Sequence, residues 1–164
     1  MKLTFEQVKH NEEIRTYIRK ADESLIALGY TEHSFAHIGK VADVASYILE
    51  TLGYSKRDIE VVKVASYMHD IGNVVNRHNH AHSGAILAYN ILKDMGMTVE
   101  ERTEIMMAIG NHDENTGTAV SDISAALILA DKSDAHRSRV SKKDRSLFDK
   151  HDEVNYAVTS SALI

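Results

Sequence analysis

Apolar residues recur at three- and four-residue spacing along most of the chain, and this spacing predicts six helices. The first runs from about Phe5 to Leu28, with Thr4 and Gln7 as a capping box and Gly29 as its stop. The second runs from about Ser34 to Leu52, with Val41, Val44, Ala45, Ile48 and Leu52 on one face and Gly53 at its end. Ser55 can cap the third, which carries Ile59, Val61, Val62, Val64, Ala65 and Met68 towards Asp70. A polar loop, Asn73 to Asn79, leads to a fourth helix from about His80 to Met95. Thr98 and Glu101 open a fifth that reaches about Ile109, and the sixth spans about Ser121 to Ala135 around Ile123, Ala126, Leu127 and Ala130. There is no proline, no convincing hairpin signal and no internal repeat, so the expected fold is all-α: one compact multi-helix domain over residues 1–140. Residues 141–164 read as a tail. Val140 to Lys150 is charged, and Val154 to Thr159 alternates weakly, as a strand would.

Composition narrows the classes. With 164 residues and 43% hydrophobic content the chain can bury a core, and no apolar run is long enough to span a bilayer. The N-terminus is amphipathic and carries acid early, unlike a secretory signal, so a cytoplasmic location is expected. Cysteine is absent, which leaves His, Asp and Glu as the strong metal ligands. A net charge of −5 argues against general nucleic-acid binding. A homo-oligomer is compatible with the sequence. Ten histidines are an enrichment, and their positions decide whether it matters.

The chain is organised around Met68-His69-Asp70-Ile71-Gly72. Here an imidazole and a carboxylate end an apolar helix, where a buried Asp is costly unless paired or bound to a metal. His37 opens the apolar face of the second helix. His80 starts the fourth, four residues before Gly84, a small residue that would let another helix approach closely. His112 follows the fifth, and Asp131 sits inside the sixth, where Asp is a poor helix former. Taken singly, each His reads at least as well as a structural or exposed residue. Together they fall on successive elements as a metal site would need.

The set resembles the HD-domain superfamily of metal-dependent phosphohydrolases. His37-Ile-Gly-Lys40 is similar to its first His motif, His69-Asp70 to its namesake pair and Asp131-Lys-Ser-Asp134 to its final Asp motif. His80-Ala-His82-Ser-Gly84 and Ile109-Gly-Asn-His112-Asp113 resemble the further ligand motifs of the two-metal branches, which include cyclic-di-GMP-specific and dinucleoside-polyphosphate-cleaving relatives. Asn73 stands where the cyclic-di-GMP branch carries Lys, and no Gly-Tyr-Pro follows His112. The resemblance implies one metal on His37, His69, Asp70 and Asp131, and a second on His80 and His112 with Asp70 bridging. His82 is the competing assignment for His80.

Imidazole with carboxylate suits one or two divalent transition-metal ions of the Fe, Mn, Zn, Co or Ni type, and such an ion lowers the pKa of its water towards ~7. The expected activity is hydrolysis of a phosphate ester or anhydride of a small molecule, a nucleotide or dinucleotide, by hydroxide formed at the metal. Lys40, Arg77 and Lys132, with Arg137 and Arg139 behind them, are the candidate phosphate-binding cations. His33, four residues before His37, is the candidate general acid, and Asp113 and Asp134 are candidate acceptors that orient ligand imidazoles. Two other classes share these ligands: a di-iron oxygenase, and a non-catalytic metal- or nucleotide-binding sensor.

Overall fold

The computed structural model describes residues 2–31 and 33–162. Among them are eight α-helices and no strand: α1 (Phe5–Lys9), α2 (Glu12–Ala27), α3 (Phe35–Thr51), α4 (Lys56–Met68), α5 (His80–Asp94), α6 (Val99–Gly110), α7 (Asp122–Ser133) and α8 (Lys150–Ala157). Single 3-10 turns cover Ile71–Val74, Arg137–Arg139 and Arg145–Leu147. The expected all-α domain is the one observed. No helix of the described residues is long and apolar enough to cross a membrane.

The helix ends follow local chemistry. Thr4 and Gln7 form the reciprocal cap of α1, and Ser55 and Asp58 form that of α4. The expected stops at Gly29, Gly53 and Gly96 all take positive φ. Two expectations are corrected. The stretch from Phe5 to Leu28 is two helices, because the Asn11 side chain accepts a hydrogen bond from the Ile14 N–H and starts α2 afresh. That break lets α1 pack on α4 while α2 packs on the Ile71–Val74 turn. The region read as a strand is helix α8, nucleated by a capping box between Asp149 and Asp152.

α4 is the centre of the molecule. It packs against α1, α3, α6 and α7, and its last two turns are buried on every side: Val61, Val62, Val64, Ala65, Ser66, Tyr67 and Met68. A helix so enclosed carries its C-terminal residues, His69 and Asp70, into the interior. α3 and α7 pack on it and on each other, and α6 packs on it while pairing with α5.

Candidate metal centre

Each element delivers one group. His37 lies in the first turn of α3, His69 caps α4, Asp70 precedes the Ile71–Val74 turn, His80 opens α5, His112 follows α6 and Asp131 sits near the end of α7. His37, His69, Asp70, His80 and His112 are all buried. The neighbouring His78 and His82 are exposed. Asn79 adopts the left-handed conformation (φ 58°), which an Asn tolerates, and turns the chain so that His80 is the first helical residue.

Asp70 stands between two clusters. Its Oδ2 lies 3.0 Å from His69 Nε2 and 3.8 Å from His37 Nε2. Asp131 Oδ1 completes that side, 3.3 Å from His37 Nε2 and 3.5 Å from His69 Nε2. Asp70 Oδ1, on the other side, lies 3.4 Å from His80 Nε2 and 3.7 Å from His112 Nε2. The groups His37–His69–Asp70 and Asp70–His80–His112 each bring their donor atoms within 4.8 Å of one another, close enough to share an ion.

The back of each ring is tied down. His37 Nδ1 donates to Asp134 Oδ2 at 2.7 Å. His69, His80 and His112 donate Nδ1–H to the backbone carbonyls of Ser66, Arg77 and Ile109, at 2.7, 3.1 and 2.6 Å. A carbonyl can only accept, so in each neutral ring the proton sits on Nδ1 and the Nε2 lone pair points into the cluster. His37 Nε2 and His69 Nε2 are buried and make no hydrogen bond among the described residues. His80 Nε2 and His112 Nε2 face each other at 3.3 Å. Two lone pairs at that distance repel unless a cation lies near them, and Arg77 Nη1 reaches only the His80 side, at 3.5 Å. The residues present therefore fit a metal, by donor type, by convergence and by their unsatisfied buried nitrogens.

The charge states follow from the same contacts. Burial works against a charged His69, yet the Asp70 and Asp131 carboxylates prevail and raise its pKa to about 10. Burial pushes Asp70 and Asp131 up, but the neighbouring imidazoles outweigh it and hold both well below the usual carboxylate range. Burial, with His112 and Arg77 adding to it, lowers His80 to about 4.

His33 borders the cluster, its Nε2 3.8 Å from Asp70 Oδ2. Its Nδ1 donates to the Thr31 carbonyl at 2.7 Å, and burial lowers its pKa to about 4. It stands as a neutral ring with a bare Nε2. Arg77 is held by Asn73 Oδ1 at 3.4 Å and lies over the Tyr30 ring, 5.5 Å from its centroid. Lys132 bridges Asp131 and Glu114, at 2.9 and 3.4 Å. Asp113 Oδ2 lies 3.7 Å from His80 Nδ1. Lys40 sits behind His37, paired with Asp134 at 2.7 Å, and does not line the cavity over the cluster. Arg139 lines that cavity, whereas Arg137 lies on the Tyr156 ring.

Sequence reasoning missed three features. Buried Asn73 donates to the Asp70 carbonyl and to its Oδ1, at 2.9 and 3.3 Å, and so links Asp70 to Arg77. Its place beside the His69–Gly72 run was the available signal. Tyr30 carried none. The third is α8, whose His151, Val154 and Asn155 line the same cavity of about 250 Å³. The Asp149–Asp152 cap was legible there, but the weak alternation beyond it was read instead.

Gly72 explains how the second cluster closes. A Cβ there would lie 1.9 Å from the His80 carbonyl oxygen and 2.5 Å from the Gly84 nitrogen. Two glycines in contact let the turn after Asp70 seat directly on the start of α5, which is the close approach expected at Gly84.

The HD domain family model matches residues 34–150. The chain is similar to an uncharacterised protein of Methanocaldococcus jannaschii, 25% identical over 161 residues, covering 84% of this chain and 61% of that protein's length. It is also similar in fold to the crystal structure of a predicted HD superfamily hydrolase from an uncultured Thermotogales bacterium. That likeness has a TM-score of 0.61 at 24% identity, over 90% of this chain and 84% of the other.

Proposed function

The chain belongs to the HD-domain family, and from that premise we propose that it is a metal-dependent phosphohydrolase acting on a phosphate ester or anhydride of a small molecule, a nucleotide or dinucleotide. The observation that carries this reading is Asp70, with one oxygen turned to each of two imidazole pairs. His37, His69, Asp70 and Asp131 would hold one ion, and Asp70, His80 and His112 a second. When bound, such ions supply Lewis acidity, offsetting phosphoryl charge and acidifying a coordinated water. The cavity supports their need: six carboxylates line it against three permanent cations, Arg77, Lys132 and Arg139, so the protein alone repels a phosphate.

The chain's own groups take the remaining roles. Arg77, preset by Asn73 and Tyr30, is the cation best placed to meet a phosphoryl oxygen. Lys132 is already shared by two carboxylates and serves to fix Asp131. His33, neutral with Nε2 bare, takes a proton from a water or hydroxyl; to act as the acid on a leaving oxygen it must first hold that proton.

Elemental analysis of protein purified without chelator, followed on the same sample by phosphate-release assays on nucleotides and dinucleoside polyphosphates, tests this. Close to two metals per chain with turnover of one class is expected. No metal after reloading would overturn the metal centre. Two irons with oxygen consumption and no phosphate release would replace the reading with the oxygenase one.

A further inference from the structure

The segment after Val140 is built into the cavity over the cluster. Arg137 N donates to the Val158 carbonyl at 2.8 Å, and His136 N to Asn155 Oδ1 at 3.1 Å. Ser141 Oγ donates to the Tyr30 carbonyl at 2.8 Å. Fully buried Asp152 is paired with Lys142, and the Arg137 and Arg145 guanidinium groups lie over the Tyr156 ring. These ties hold α8 to the chain that leaves Asp131 and Asp134.

Asn155 spends its side chain on that attachment: its Oδ1 accepts from His136 and its Nδ2 donates to the His151 carbonyl. His151 and Val154 are different. Both line the cavity, and the His151 ring makes no hydrogen bond among the described residues. Val154 is 59% exposed, an apolar side chain with no core to fill. The cavity bordered by both these residues and the cluster is about 250 Å³; a sphere of that volume is about 8 Å across, at the small end of ligand pockets (roughly 300–1,000 Å³), which leaves room at its mouth for one nucleoside and not two. A phosphate at Asp70 therefore brings the group it carries up against α8.

We propose that α8 is the substrate-selecting wall, with His151 hydrogen-bonding and Val154 packing on the organic group of a phosphomonoester of nucleoside size, so that nucleoside monophosphates are taken and dinucleotides are not. This rests on the phosphohydrolase reading. The placement of α8 gives the C-terminal segment its role.

The test uses the full chain, its metal content verified, with p-nitrophenyl phosphate, a set of nucleoside 5′-monophosphates and diadenosine tetraphosphate. Wild type is expected to favour the monophosphates over the tetraphosphate by at least about tenfold in kcat/KM, since one excluded contact set is worth that much. His151→Ala raises KM for its best monophosphate by roughly 3- to 10-fold, the worth of one hydrogen bond, with kcat held. Val154→Trp, at an exposed position, fills the space. It weakens calorimetric binding of the monophosphate but not of inorganic phosphate. Wild-type monophosphate kinetics and binding in both variants, equal turnover of the tetraphosphate, or turnover of p-nitrophenyl phosphate alone would each overturn the wall and leave the phosphohydrolase standing. No hydrolysis of any probe by metal-loaded protein would overturn both.

Discussion

Replacing Gly72 with alanine should separate the two halves of the centre. The added Cβ would meet the His80 carbonyl oxygen at 1.9 Å, the Gly84 nitrogen at 2.5 Å and the Gly84 Cα at 2.9 Å. All three are backbone atoms, so no side-chain rotation relieves the contact. To reach even 3.0 Å the His80 carbonyl must retreat by about 1.1 Å. Metal–ligand distances tolerate about ±0.2 Å, so a displacement of that size removes His80 from Asp70 and His112. Overpacking of this kind costs about 1–3 kcal/mol. For a chain of this length each kcal/mol moves Tm by roughly 2–4 °C, so Tm should fall by roughly 2–12 °C. Of the four groups on the other side, His37 and Asp131 stand on α3 and α7 and His69 caps α4, so only Asp70 lies on the chain that enters the Gly72 turn. Gly72→Ala should then keep one ion per chain of two, measured by elemental analysis beside a thermal melt. Gly39→Ala is the control: a Cβ there meets nothing within 4 Å, and in mid-α3 it should raise stability by about 1 kcal/mol with metal content unchanged. Two ions and a wild-type Tm in Gly72→Ala would refute the claim that glycine contact closes the second cluster.

His112→Ala and His69→Ala should each lose one ion and keep the other, the first on the α5–α6 side and the second on the α3–α4–α7 side; two ions retained in either variant, by elemental analysis, would contradict the ligand assignment. Asp134→Ala frees the His37 ring from its 2.7 Å hydrogen bond and should weaken metal affinity by about 10- to 100-fold, read from competition with a chelating dye. Metal-free protein should be most stable near pH 6.5. His33 and His80, both lowered to about 4, leave the unfolded chain binding more protons between pH 6.5 and 4, so stability falls as pH drops through that window. His69, raised to about 10, contributes stability that is whole below pH 6.5 and lost as pH rises towards 10. Melts in chelator across pH 4–10 that show no maximum would count against these charge states.

Much of the fold was legible because its causes are local. Periodicity marked the core helices, and the caps at Thr4, Ser55 and Thr98 with the stops at Gly29, Gly53 and Gly96 set their ends within a few residues. Asn11 was the exception at the N-terminal end: a capping side chain inside an otherwise helical pattern looks like any polar surface residue until α1 and α2 are seen to pack on different partners. His37, His69, Asp70, His80, His112 and Asp131 were nameable from residue type and motif alone. Tautomers were close to legible too, since three of the rings bond to the carbonyl three residues back.

The tertiary structure decided the rest, because distances between residues remote in sequence depend on how helices pack. It turned His80 inward and left His82 exposed, and set one oxygen of Asp70 towards each imidazole pair. It withdrew Lys40 behind His37 to serve Asp134, and brought Tyr30 under Arg77. It also folded the charged tail back. Asp152 can be buried only because Lys142, ten residues earlier, arrives beside it, and that pairing holds α8 against the cavity. Residue identity sets which chemistry a chain can perform; packing sets which of those groups meet.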